Sequence, residues 1–246
     1  MLKFRSPLEY RLKAWHGESW HTTKGRVIRD IVYAIDTGLV TTVSFLAGVS
    51  VSLVSKNKVI LAGLIQIIAG TLAIFFGSYI STKAQKHFFE SQIKREEKEI
   101  IDNPQKETQE IREIFSELGF NTQEQEIAVK RITADKKRWL EFMVQEEIGI
   151  SPGLIDNPFE IGFISALSFV IGSLPAILPF FFLTEIQNAL IVSAAGVLLF
   201  LFILGIIKSR VTKIHWIKSG IETLLFGLIS CSAGFLLGRL ASGYFH

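Results

Sequence analysis

Only one cysteine, Cys231, occurs in the 246 residues, and it lies inside an apolar run. No intrachain disulfide can form, and the setting predicts a small buried side chain instead. The sequence contains no His-Glu-x-x-His, no nucleophile elbow and no comparable catalytic signature, which argues against an enzyme working inside the membrane. A removable signal peptide is not expected, because the first apolar run begins near Ile31 after a long charged lead without a small-residue cleavage site. The surplus of positive charge is only +3, averaged over apolar stretches almost free of charge and polar stretches dense in both signs. Basic residues beside apolar runs mark the side of a membrane rather than a nucleic-acid site, so no nucleic-acid partner is expected.

What the sequence has in quantity is apolar length. Hydrophobic residues make up 49% of the chain and the mean hydropathy is +0.38. They gather into five runs, near residues 31–54, 59–80, 161–183, 189–207 and 221–240, each long enough at about 1.5 Å per residue to cross a hydrocarbon core of about 30 Å. The predicted fold is therefore an all-α membrane protein with five transmembrane helices and a polar helical insert between helices 2 and 3. The first run contains one charge, Asp36. A carboxylate at mid-span costs roughly 2.5–3.5 kcal/mol on insertion scales, so Asp36 is expected to face other helices or a water-filled path. Asp30, at the start of that run, also suits the helix dipole or a cap. Glycines recur every seven residues at 63, 70 and 77 and again at 220, 227 and 234, with Gly238 extending the second series. Such a face lets a neighbouring backbone approach closely. Pro175 and Pro179 fall inside the third run, where they free carbonyls from the helical ladder.

The chain divides into a basic lead (1–29), two spans (30–80), the insert (81–155) and three further spans (156–246). Neither Gly nor Pro interrupts Ser81 to Ile101, so the second span should run on into the insert as one helix. Glu96 and Glu99 are three residues apart, as are Glu107 and Glu110, and each pair projects from one helix face. Asn103-Pro104 separates the pairs onto two helices, so a hairpin there could bring four carboxylates together around a cation. A helix from Gln105, with Ile111, Ile114, Phe115 and Leu118 at helical spacing, should end at Gly119, and Thr122 with Gln125 resembles a capping box opening the next. A last insert helix over 136–148 places Met143 and Glu147 on one face. A thioether beside carboxylates favours Fe²⁺ or Mn²⁺ over Mg²⁺ or Ca²⁺, although a lone Met is more often a packing residue. Seven Lys/Arg lie in the lead, twelve between Ser81 and Glu147 and four between Lys208 and Lys218, against three elsewhere. The positive-inside rule thus places the N-terminus and the insert in the cytoplasm.

Five spans, a long insert after the second, Tyr79-x-Ser81-x-Lys83 and Lys94-Arg95-Glu96-Glu97-x-Glu99 together resemble the vacuolar iron transporter family. The resemblance extends from about Gly25 to Arg239 and takes in Asp30 to Tyr33, Gly38 to Thr42, Ala47 to Val49, Trp139 to Met143 and Gly172 to Pro175. It implies a dimeric, proton-coupled exporter of Fe²⁺, and often Mn²⁺, from the cytoplasm into a vacuole or out of the cell. It implies further that Glu96, Glu99, Glu107, Glu110 and Glu147, with Met143, gather the metal. Asp36 and Asp30 would then lie on the translocation path, in a prokaryotic inner membrane or a vacuole-like organelle membrane. No tightly bound cofactor is expected; Fe²⁺ or Mn²⁺ is substrate, with Zn²⁺ as an alternative. Where the family usually has Asn-Asp-Gly this chain has Asp36-Thr37-Gly38, and Gln66, Ile74, Arg26 and Val144 stand where relatives often carry Glu, Met, an acidic residue and a second Met. A membrane metal binder or sensor without transport is therefore the alternative reading.

Overall fold

A computed structural model describes residues 23–149, 156–212 and 215–245. The predicted lead up to residue 22, with Trp15 and Trp20, and the predicted turn at 151–153 lie outside the described residues. Among those described there are eight α-helices and no strand: α1 (Thr23–Ser52), α2 (Lys56–Asp102), α3 (Pro104–Glu117), α4 (Thr122–Thr133), α5 (Lys136–Glu146), α6 (Pro158–Phe182), α7 (Ile186–Thr212) and α8 (Trp216–Phe245). Five of them, α1, α2, α6, α7 and α8, are long and apolar enough to cross a membrane. The protein is an integral membrane protein. The chain forms two compact units, one of residues 25–80 with 158–246 and one including residues 81–157.

In the apolar unit, Leu39, Val43 and Leu46 of α1 pack with Ala176, Ile177 and Phe180 of α6 and Ala189, Val197 and Leu201 of α7. Backbones meet at glycines. A Cβ on Gly172 would run into the Ile35 carbonyl, one on Gly38 into the Phe169 carbonyl, and ones on Gly234 and Gly238 into the carbonyls of Ser44 and Gly48. Helix α1 is thus held in backbone contact with both α6 and α8. The seven-residue series act as packing surfaces at Gly63, Gly70, Gly220, Gly227 and Gly234, whereas Gly77 faces open space. Replacing Gly172 by Val drives the first side-chain carbon into the Ile35 backbone, and is expected to cost about 3 kcal/mol. A thermal melt of the detergent-solubilised protein should show it as a lower midpoint.

The insert unit closes over its own core. Ile100 of α2, Ile111 of α3, Val129 and Ile132 of α4, and Trp139 and Met143 of α5 form one buried cluster, flanked by Phe115, Leu140 and Phe142. The rings of Phe115 and Phe142 stack at 5.6 Å. Helix α2 does continue through Ser81 to Asp102 without a break, and Pro104 opens α3 at its first position. Helix α3 ends before Gly119, which takes the left-handed conformation at φ 88°. Leu118, predicted to share the apolar face, caps α3 instead and is 64% exposed. The capping box stands one residue earlier than predicted. Asn121 is the N-cap, its Oδ1 accepting from the amides of Gln123 and Glu124 at 3.0 and 3.1 Å, while Glu124 accepts from the Asn121 amide at 2.8 Å. Asparagine outranks threonine as an N-cap, and that preference displaces Thr122 to the first helical position.

Candidate metal site and membrane polar groups

Each insert helix carrying a glutamate also carries an apolar anchor one turn away. Glu96 precedes Ile100 on α2, Glu107 precedes Ile111 on α3, and Glu147 follows Met143 at the end of α5. Burying the anchors draws the three glutamates together, so that Glu96, Glu107 and Glu147 each offer a carboxylate oxygen and all three oxygens lie within 4.8 Å of one another. Glu96 and Glu107 are 2% and 1% exposed, and each keeps one oxygen, Oε1 and Oε2 respectively, without a hydrogen-bond partner. Buried carboxylate oxygens without donors are costly unless a cation or proton meets them. Three converging oxygen ligands from three helices form a holder suited to a divalent ion.

The electrostatics carry the same message. Burial first, then the neighbouring charges of Glu147 and Glu107, push Glu96 up to about 8. As an acid it donates a hydrogen bond to Glu107. Glu107 is itself raised by burial and by Glu110 and Glu147, and Glu147 by partial burial of its carboxyl group and by Glu110 and Glu99. Carboxylates that share a site cannot all ionise cheaply, and a metal relieves the repulsion.

The other three predicted ligands are placed differently. Glu99 pairs with Arg95 at 2.9 Å and Glu110 with Lys106 at 2.8 Å, so one member of each sequence pair turns inward and the other outward. Met143 is fully buried within the apolar cluster of the insert.

In the apolar unit, Asp36 is half-buried on α1, and the charge acting on it is Lys208, near the end of α7. Asp30 pairs with its neighbour Arg29 at 2.9 Å. One turn and a half beyond Asp36, the fully buried Thr42 hydroxyl lies 3.2 Å from Gln66 Oε1 and 3.1 Å from Ser173 Oγ, and Ser173 donates to the Phe169 carbonyl at 2.8 Å. Gln66 Nε2 donates to Thr41 Oγ1 at 3.4 Å. Three helices thus share a neutral hydrogen-bonded layer at mid-span.

Compared with known proteins, the sequence model described as the VIT family matches residues 28–239. The chain belongs to the VIT family. Vacuolar iron transporter 1 of Oryza sativa subsp. japonica is 31% identical over 224 residues, covering 91% of this chain and 89% of the relative. Vacuolar iron transporter 1 of Arabidopsis thaliana is 28% identical over 225 residues (92% and 90%), and the vacuolar iron transporter of Plasmodium falciparum (isolate 3D7) is 30% identical over 232 (91% and 85%). In this VIT family chain, sequence reasoning missed Lys208 beside Asp36 and the Thr42–Gln66–Ser173 layer. Lys208 is the one charged residue between 187 and 209, and that isolation was the available signal. The layer depends on three helices meeting, and its mark in a single run is Gln66, a polar side chain in the second span suited to interhelical hydrogen bonding.

Proposed function

We propose that this chain exports a divalent transition metal, Fe²⁺ or Mn²⁺, from the cytoplasm across its membrane in exchange for protons. The observation that carries the proposal is the convergence of Glu96, Glu107 and Glu147, two of them buried with an unsatisfied oxygen. Relatives named vacuolar iron transporters support a metal as cargo and an organelle membrane as the setting. The distribution of Lys and Arg supports a cytoplasmic insert and N-terminus. Glu99 and Glu110 form the outer part of the same site, taking the ion as it arrives, and Met143 lines its base. Asp36 carries the ion or the returning proton within the membrane, with Asp30 near the cytoplasmic end. A homodimer fits the face of α1 and α2, where Phe45, Ala62, Ile65, Gln66, Ala69, Gly70 and Ala73 surround an open hollow of about 560 Å³.

The neutral layer of Thr42, Gln66 and Ser173 favours a second reading, a metal-binding membrane protein that does not transport. Proteoliposomes with an imposed pH gradient and an internal pH dye separate the two. Fe²⁺ or Mn²⁺ entry with matching proton exit is the expected result. Saturable binding without entry would overturn the transport reading and leave the second.

A further inference from the structure

A six-residue unit occurs twice, eleven residues apart: Arg95-Glu96-x-x-Glu99-Ile100 and Lys106-Glu107-x-x-Glu110-Ile111. The structure treats both copies alike. The isoleucine is buried in the insert core, the first glutamate is buried with a bare oxygen, and the second is bonded to the basic residue four positions earlier, at 2.9 and 2.8 Å. The two cations also act beyond their own partners. Arg95 acts on Glu147 and Glu96, and Lys106 on Glu107 and Glu99. Five carboxylates therefore surround two cations that belong to the protein.

We propose that Arg95 and Lys106 are built-in competitors for the metal: they hold Glu99 and Glu110 in the unloaded protein and must be displaced for a metal to recruit those two carboxylates. This rests on the insert glutamates being the metal site. Both ion pairs are solvent-exposed on the cationic side, 72% for Arg95 and 71% for Lys106, so each is weak and exchangeable. A divalent cation carries twice the charge into the same cluster and wins the exchange, yet its affinity is held below what five unopposed carboxylates would give. A collecting site that must also give up its ion benefits from that limit.

The test is Mn²⁺ binding to the purified full-length protein at fixed pH and ionic strength, comparing wild type, Arg95→Gln with Lys106→Gln, Lys98→Gln, and Glu96→Gln with Glu107→Gln. Removing one positive charge a few ångström from a divalent ion is expected to tighten binding about tenfold in water-like dielectric, so the double variant should gain tenfold or more. Lys98→Gln removes one charge from the same helix without touching either outer glutamate, and should shift affinity by less than about threefold. An Arg95/Lys106 variant that binds no tighter than wild type, or no tighter than Lys98→Gln, overturns the proposal. A weaker-binding variant overturns it as well, because it would make the two cations organisers of the outer glutamates. Should Glu96→Gln with Glu107→Gln bind as wild type does, the site itself is wrong, which is a separate failure.

Discussion

Between pH 8 and pH 6 the protein is expected to lose about 50-fold in Mn²⁺ affinity. The metal needs Glu96 ionised, and Glu96 titrates near 8 in the metal-free insert. With one competing proton, apparent affinity scales with the ionised fraction, about one half at pH 8, one in eleven at pH 7 and one in a hundred at pH 6. Burial and neighbouring carboxylates raise Glu107 and Glu147 too, in the same direction. Binding at pH 7 should release about 0.9 proton per metal from Glu96, readable as a buffer-dependent heat in titration calorimetry. A pH-independent affinity between 6 and 8 would remove Glu96 from the ligand set. The stability of the metal-free insert follows with a definite sign. A carboxyl whose folded value is raised above its unfolded one stabilises fully below the unfolded value, near 4.5, and loses that contribution as pH rises through about 8. Adding Mn²⁺ should stabilise the insert more at pH 8 than at pH 5.

Asp36→Asn is expected to abolish metal uptake into proteoliposomes while leaving Mn²⁺ binding at the insert unchanged. The amide is nearly isosteric and keeps the packing of α1, but carries neither the charge for a dehydrating cation nor a proton for exchange. Asp36 is the only carboxylate within the apolar run of α1; α6 has Glu160 in its first turn, α7 has none, and α8 has Glu222 in its second turn. Uptake by Asp36→Asn at the wild-type rate would show that ions pass elsewhere, with the neutral Thr42, Gln66 and Ser173 layer the first place to look.

Much of this was legible in sequence for a simple reason. Spans announce themselves by length, and helix α2 by the absence of Gly and Pro between Ser81 and Ile101, both one-dimensional properties. The carboxylate pairs were legible as pairs, but spacing of three alone does not say which member faces inward. The apolar stripe does: Glu96 lies between Ile93 and Ile100, and Glu107 begins a stripe through Ile111, Ile114 and Phe115, so burial of those anchors takes the first glutamate of each pair with it. The third ligand came from α5, not from the α2–α3 hairpin alone, because a four-helix core brings α5 alongside. Leu118 and Thr122 were misplaced at helix ends, where capping chemistry outweighs periodicity. Lys208 opposite Asp36 is a meeting of the first and fourth spans, which no local pattern encodes.

The glycine contacts on both flanks of α1 bear on how such a protein could open to one side and then the other. With Gly172 of α6 against Ile35 and Gly234 and Gly238 of α8 against Ser44 and Gly48, α1 cannot turn about its own axis without driving backbone into backbone. Alternation of access would therefore require α1, α6 and α8 to rock as a single rigid body, carrying Asp36 and Thr42 with them at fixed angles.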